Sequence, residues 1–257
     1  MLLSGGTSAW PLLQLDPASE IKLVEHAPQA STICSQIIDA LVSRPSHERY
    51  LAVDMEWPAG PRGGGPGRVA LIQVSLPNDP TIFLFHLARF RSMPPGLQQL
   101  LEHADLTKVG INFGNDRAKL YKDWAVSMAN CVDASHLAFE RGLAKNRRSS
   151  LQDLLQAACQ VSIPKPETLR CSDWSQALSL AQRNYAALDA FATRIAYEAI
   201  MSKPTIFEPG ALTLASSALD QTVVLVSHGK PEPVARGRIT KLPPAQVPAG
   251  FGATSSR

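Results

Sequence analysis

The sequence predicts a mixed α/β domain, and three observations predict it. Three apolar runs follow in quick succession, at Tyr50–Trp57, Arg68–Leu76 and Thr81–Leu87, and the turn-rich connector Pro77–Pro80 joins the last two as in an antiparallel meander. From Gly96 onward, helix-length and strand-length periodicities alternate. Gln182–Met201 is the longest periodic segment. A meander feeding alternating elements implies a mixed sheet with helices packed on its faces.

Taken in order, Ile21–Glu25 reads as a short strand. Thr32–Val42 reads as a helix with Ile33, Ile37, Ile38 and Leu41 on one stripe, stopped by Pro45. The connection Pro58–Gly67 is rich in Gly and Pro and lacks the GxxxxGK pattern of a phosphate-cradling loop, so it reads as a hairpin loop, with Arg62 a candidate ligand contact. Beyond the meander, Gly96–His103 suits a helix, Thr107–Asn112 a strand, Asp116–Trp124 a helix, Asn130–Asp133 a short strand and Leu151–Cys159 a helix. After Lys203 the character changes: seven prolines occur from Pro204 to the end, and Val223–Val226 is the one strong apolar cluster. The expected organisation is an extension over 1–19, a domain over 20–203 and a Pro-rich, partly disordered tail over 204–257, whose last part carries Lys230, Arg236, Arg238 and Lys241.

Composition sets bounds without choosing a function. The chain has 257 residues, 45% hydrophobic and 18% charged, enough for one large core. A net charge of +3 permits an anionic partner without demanding one. Cys34, Cys131, Cys159 and Cys171 are too scattered for a CxxC zinc site and too few for a disulfide scaffold, so they are expected as reduced, mainly buried thiols. The six histidines show no metal spacing. The first fifteen residues lack Lys and Arg, unlike a secretory or transit leader, and no apolar run has membrane-spanning length. The expectation is an intracellular protein without a membrane partner, nuclear or cytoplasmic.

The most informative stretch is Arg49–Trp57. In a strand, residues i and i+2 share a face, so Asp54 and Glu56 hold two carboxylates side by side at the end of a buried run. Like charges this close persist if a cation neutralises them, if one takes a proton, or if the strand end is wet. A wet strand end is the ordinary meaning of an isolated Asp-x-Glu, since a chain of this size holds roughly one by chance. Tyr185 and Asp189 are four apart, stacked on one helical face beside the stripe Leu188, Phe191, Ile195 and Ala199. Asp116 stands where the strand Thr107–Asn112 passes into a helix, a common place for a first-turn acid.

Occurring together, in this order and with these flanks, the segments resemble the tyrosine subclass of the DEDD 3'-5' exonucleases, nearest to the Werner-type domains, with the RNase D family as relatives. The first motif stands at Val53–Trp57, the second at Val109–Leu120 and the third at Tyr185–Ala190. Supporting flanks lie at Val69–Gln73, Leu84–His86 and Arg170–Ser175. The resemblance covers roughly Ile21–Ile200. It implies an RNase H-like fold, a mixed five-stranded sheet flanked by helices. It also implies Asp54, Glu56, Asp116, Tyr185 and Asp189 as catalytic residues and the four acids as ligands of two Mg²⁺ or Mn²⁺ ions. Asp54, Glu56 and Asp189 would hold the metal that activates water, Asp54 would bridge to the second, and Asp116 would act through coordinated water. Tyr185 would orient the attacking water, a phenol of pKa about 10 being a poor free base. In the histidine subclass a His holds the position of Tyr185.

The implied partner is nucleic acid with a free 3' end, DNA favoured, with release of nucleoside 5'-monophosphates. RNase D-like trimming of RNA and a catalytically idle binding module on the same fold stay open as alternatives. Weaker nucleic-acid candidates are the basic loop Lys145, Arg147 and Arg148, for which a solvated loop is the commoner meaning, and Trp57, for which core packing is the commoner fate. Two departures from the family pattern stand out: Gln160 replaces a common glycine, and the loop after Trp57 is unusually Gly-rich.

Overall fold

A computed structural model of the chain describes residues 10–60 and 65–204, and within the remainder the strands at 222–226 and 233–238. Two compact units divide between Pro204 and Thr205. The first holds six strands, β1 (Glu20–Val24), β2 (Tyr50–Glu56), β3 (Leu71–Ser75), β4 (Thr81–Phe85), β5 (Thr107–Gly110) and β6 (Cys131–Asp133), in one sheet of order β1-β4-β3-β2-β5-β6. β2, β3 and β4 form the antiparallel meander, β5 and β6 add in parallel on the β2 side, and β1 pairs parallel to β4 at the other edge. The sheet therefore has six strands where five were implied. All six coincide with strands read from the apolar runs, and β1 covers the outer side of β4, which would otherwise be an open edge.

Helices α1 (Ala27–Val42), α2 (Pro95–Glu102), α3 (Gly114–Trp124), α4 (Ala134–Glu140), α5 (Leu151–Cys159), α6 (Glu167–Arg170) and α7 (Leu180–Met201) complete the described part of this unit. Alternation along β2 divides the core. Leu51, Val53 and Met55 enter a cluster with Ile33, Ile37 and Leu41 of α1 and Leu97, Leu100 and Leu101 of α2. The other face of the sheet packs on α7, where Leu71, Ile82 and Leu84 meet Ala186, Ala187, Ala190 and Phe191. The expected helix from Thr32 begins more than a turn earlier, at Ala27, and α4 and α6, with seven and four residues, carry no legible period in the sequence.

The segment expected as an N-terminal extension is partly built into this unit. Leu13 N–H donates to the Ser162 carbonyl at 2.7 Å, Ser162 N–H donates to the Pro11 carbonyl at 2.9 Å, and Leu13 and Leu15 pack against the clusters around α7. Gln160 takes the left-handed conformation at the C-terminus of α5, φ 58°, which explains why glycine is common there. Of the cysteines, Cys34 is buried, Cys131 and Cys159 are partly exposed and Cys171 is exposed, all as free thiols. In the second unit, β7 (Thr222–Val226) pairs antiparallel with β8 (Pro233–Arg238), so the apolar cluster of the tail is a strand. The expected disorder of that tail falls on residues outside those described, as does Arg62.

Two outcomes follow for stability. Gln160→Gly relieves a left-handed non-glycine residue and should raise stability by about 0.5–1 kcal/mol after the entropy of the added glycine is subtracted, read as a shift in urea midpoint at constant m. A chain ended at Pro204 should melt cooperatively with the secondary structure of the first unit intact, and a molten or insoluble product would show that the second unit is required.

Candidate active site

β2 presents its acids where the sheet opens. Tyr50, Ala52, Asp54 and Glu56 share the face toward α7. The parallel pairing with β5 runs only from Tyr50↔Thr107 to Ala52↔Val109, whereas β3 stays in register to Glu56↔Leu71. Asp54 and Glu56 thus stand beyond the end of one neighbour, at the carboxyl end of the strand, with room on one side. Asp189 reaches them from α7. That helix starts at a capping box, Ser179 accepting from Gln182 N–H and Gln182 accepting from Ser179 N–H. Its sheet-facing positions Ala186, Ala187 and Ala190 are fully buried and small, so the helix backbone approaches closely enough for a short aspartate to arrive. One carboxylate oxygen from each of Asp54, Glu56 and Asp189 lies within 4.8 Å of the others.

Asp116 comes from the turn between β5 and α3, which is held from below by Asp133. The N–H groups of Asn112 and Phe113 donate to the two Asp133 carboxylate oxygens at 3.1 and 2.9 Å. Asn112 has φ 52° and its amide donates to the Ser149 carbonyl at 3.1 Å. Gly110 leaves space for the buried Phe113 ring, which an added Cβ would meet at 2.4 Å. The outcome is an acid in the first turn of α3, at its positive end, outside the triad of oxygens but electrostatically coupled to Asp54 and Glu56. Asp133, which also caps α4 through Ser135 N–H, was read only as a strand end. Its signal, an Asp directly before a helix, is too common to stand out.

Burial raises every acid of the group, and repulsion adds to it at Glu56, Asp116 and Asp189. Asp54 is pushed up to about 6 by burial, opposed by the Met55 N–H at 2.9 Å and by the charge of Lys165. Asp116 reaches about 7 through burial, then the charges of Asp54 and Asp133. Asp189 reaches about 7 through burial and Asp54, with the Tyr185 hydroxyl and Lys165 favouring its charged form. Glu56 is raised furthest, by burial first and then by Asp54, Asp189 and Asp116. Tyr185 is itself held well above the ordinary phenol range by burial and by Asp189 and Glu56, so its hydroxyl stays protonated. Its ring packs against Trp174, centroids 6.1 Å apart.

The acids open into a cleft of about 460 Å³ lined by Asp54, Tyr185 and Asp189 on one side and by Lys165, Glu167 and Arg170 on another. Lys165 and Arg170 were not singled out as site residues. Lys165 sits between two prolines with no periodicity to flag it, and Arg170 appeared only as a flank of the third motif. The weaker candidates are placed elsewhere. Trp57 packs against the first core cluster with Lys119 over its ring at 5.3 Å. Arg147 lies 3.5 Å from Glu140 and over the Phe139 ring, while Lys145 and Arg148 are exposed on the same loop, and none of the three lines the cleft.

The donor set suits a divalent metal. Among the described residues the cluster is carboxylate only, a hard oxygen set without His or Cys, and its members share a charge that burial makes unfavourable to keep. Beside it lies a second unbalanced group. Gln73, opposite Asp54 in the β2–β3 register, is fully buried, and neither polar atom of its side chain bonds to protein.

The fold and site define a nuclease-type α/β domain with an acidic cleft at the sheet's carboxyl edge. Residues 29–203 match the family model of 3'-5' exonucleases, and the chain belongs to that family. The bifunctional 3'-5' exonuclease/ATP-dependent helicase WRN of Mus musculus is 32% identical over 166 residues, 64% of this chain and 12% of that protein. A 3'-5' exonuclease of Arabidopsis thaliana is 31% identical over 159 residues, 60% of this chain and 54% of that protein, so the chain spans about half the length of the second relative and about an eighth of the first. In fold, the RNase D of Trypanosoma brucei, solved in complex with RNA U12, superposes with TM-score 0.59 at 18% identity over 72% of this chain and 63% of that one. The Nibbler EXO domain of Aedes aegypti gives TM-score 0.58 at 20% identity, over 74% and 90%.

The raised acids fix the sign of a pH effect. Without metal, the folded protein keeps protons that the unfolded chain releases near pH 4, so stability falls as pH rises from about 4 to about 7. Thermal melts in EDTA should show a lower Tm at pH 8 than at pH 5. Saturating Mn²⁺ should raise Tm more at pH 8, because the carboxylates bind metal only when deprotonated. Equal Tm values at both pH values in EDTA would mean that the acids carry no such strain.

Proposed function

We propose that this chain is a metal-dependent 3'-5' exonuclease that hydrolyses the terminal phosphodiester bond of nucleic acid and releases nucleoside 5'-monophosphates. The observation that carries the reading is the convergence of Asp54, Glu56 and Asp189 within 4.8 Å, with Tyr185 lining the same cleft and Asp116 coupled to it. These residues come from three separate elements of the chain. Such convergence is what a reacting site requires and what isolated strand-end or surface acids lack. An idle binding module would gain nothing from keeping these repelling carboxylates together, which argues for an enzyme.

Asp54, Glu56 and Asp189, with Asp116 beside them, would hold Mg²⁺ or Mn²⁺. When bound, two such ions lower the pKa of the attacking water and offset charge on the phosphate and the leaving 3'-oxygen. The chain's own groups then have separate tasks. Tyr185, kept protonated, hydrogen-bonds and orients the water instead of deprotonating it. Asp189, on the next turn of α7, fixes that hydroxyl. The Met55 N–H holds one Asp54 oxygen, leaving the other for metal. DNA with a single-stranded or recessed 3' end is the favoured substrate. The preference rests on the nearness of the three motifs to the Werner-type domains, and RNA trimming is the second reading, favoured by the RNase D neighbour solved with RNA U12.

The test is turnover of 5'-labelled DNA and RNA oligonucleotides of one sequence, with Mg²⁺, with Mn²⁺ and with EDTA. The expected result is a ladder shortening from the 3' end of DNA, abolished by EDTA and reduced by orders of magnitude in Asp54→Ala. Tyr185→Phe should keep metal binding and lose activity partially, on the order of 10²- to 10⁴-fold. Cleavage of circular single strands would refute the exonuclease reading, and trimming of RNA with DNA left intact would reverse the substrate preference.

A further inference from the structure

We infer that Lys165 and Arg170 form a phosphate-binding wall facing the acids, gripping the phosphate of the 3'-terminal nucleotide during turnover and in the released 5'-monophosphate. The inference rests on the exonuclease reading and adds to it the residues that hold the substrate anion.

Three observations carry it. First, Lys165 and Arg170 line the cleft that contains Asp54, Tyr185 and Asp189, and among the described residues they are its cationic lining residues. The same wall carries one acid, Glu167, and so keeps a net positive charge. Second, both side chains are exposed and neither forms a hydrogen bond or ion pair within the described residues. Other cations are committed: Lys119 to Asp123 at 2.8 Å, Arg194 to Glu198 at 3.1 Å, and the buried Lys108 to the His103 and Leu106 carbonyls at 2.6 and 2.7 Å. Lys165 acts on Asp54 and Asp189, and Arg170 on Glu56, through space, without closing on them. Third, the segment from Arg170 is tied down. Trp174 is fully buried, its carbonyl lies 3.0 Å from His86 Nε2, and the Gln182 amide donates to Ser172 Oγ at 3.0 Å and to the Asp173 carbonyl at 3.3 Å. A cation on an anchored segment, uncommitted and facing a cleft, is arranged for an external anion.

The competing role is that of counter-ion to the acids, and the two roles separate by measurement. A counter-ion would tune metal affinity and leave substrate affinity alone, whereas a phosphate grip sets substrate affinity and its salt dependence. The probes are a fluorescein-labelled single-stranded DNA oligonucleotide with a free 3' end, thymidine 5'-monophosphate and thymidine. Binding is measured by anisotropy in EDTA with full-length chains carrying Asp54→Ala, so that no cleavage intervenes, with and without Lys165→Ala or Arg170→Ala. Mn²⁺ affinity is measured by calorimetry on Lys165→Ala and Arg170→Ala with Asp54 intact.

The expected result is oligonucleotide affinity weakened about tenfold by each substitution, with the slope of log K against log salt shallower by about 0.7 per lost contact. Thymidine 5'-monophosphate should compete less well with each variant while thymidine behaves as before, Mn²⁺ affinity should stay within about twofold, and Lys165→Arg should restore binding. Unchanged oligonucleotide affinity and slope in both variants would overturn the inference. So would a tightening of Mn²⁺ binding without a loss of oligonucleotide affinity, which is the counter-ion outcome. Because binding is read without turnover, a chain that fails to shorten DNA but binds it through Lys165 and Arg170 would count against the exonuclease reading and leave the wall in place.

Discussion

The structure turns on holding like charges together in a half-buried place. Two carboxylates on one strand face, a third from a helix and a fourth from a turn repel one another, and burial removes the water that would screen them. Local groups offset the repulsion only in part, the Met55 N–H at Asp54 and the Tyr185 hydroxyl at Asp189, so the scaffold must hold the rest. β2 is hydrogen-bonded on both sides through Ala52, which fixes the strand before its acidic end begins. The alanines of α7 bring the helix backbone close to the sheet, and Asp133 clasps the Asn112–Phe113 turn from which Asp116 enters. Loosening any of these would let the acids relax apart toward solvent.

That constraint also explains why the cleft carries two signs. A floor of acids attracts cations and repels the phosphodiester backbone, so a purely acidic cleft would exclude its own substrate until the metals arrive. Placing Lys165 and Arg170 on a different segment, beyond ion-pair distance from the acids, separates the two attractions in space. Had either closed into a salt bridge with Asp54 or Glu56, it would have occupied the metal's position and spent its own charge. The spacing is set by the anchoring of the chain around Trp174, not by attraction between floor and wall.

What could be read in the sequence is what local periodicity expresses. Asp54 and Glu56 share a face because strands alternate, and Tyr185 and Asp189 stack because helices repeat near four, so both pairs were legible without any knowledge of tertiary contacts. At Gln160 only the departure from a common glycine was legible, and the left-handed backbone behind it came from the fold. Partnering was not legible. Arg147 looked as free as Lys165 in the sequence, and only the fold shows that it lies against Glu140 and Phe139 while Lys165 borders the acids. Trp57, beside the acids in sequence, turns to the core because consecutive residues leave a strand on opposite faces. The docking of Leu13 and Leu15 onto the α7 clusters carries no periodic signal, since a single pass of chain against a core has no repeat.

Gln73 shows where the scaffold leaves its balance unclosed. A fully buried amide without a protein partner costs about 1–3 kcal/mol, and cores seldom retain one. Its neighbours on β3, Leu71 and Ser75, are in contrast accounted for: Leu71 packs against the α7 cluster, and Ser75 accepts from Arg194 Nε at 3.1 Å. The unmet amide therefore falls at the single β3 position on this face that stands in register with Asp54. A core optimised for stability alone would place a leucine or methionine there. Departures from local optimality in a folded chain concentrate where chemistry is done, and here the unpaired amide and the raised carboxylates of Asp54 and Glu56 occupy adjoining positions on the same face of the same pair of strands.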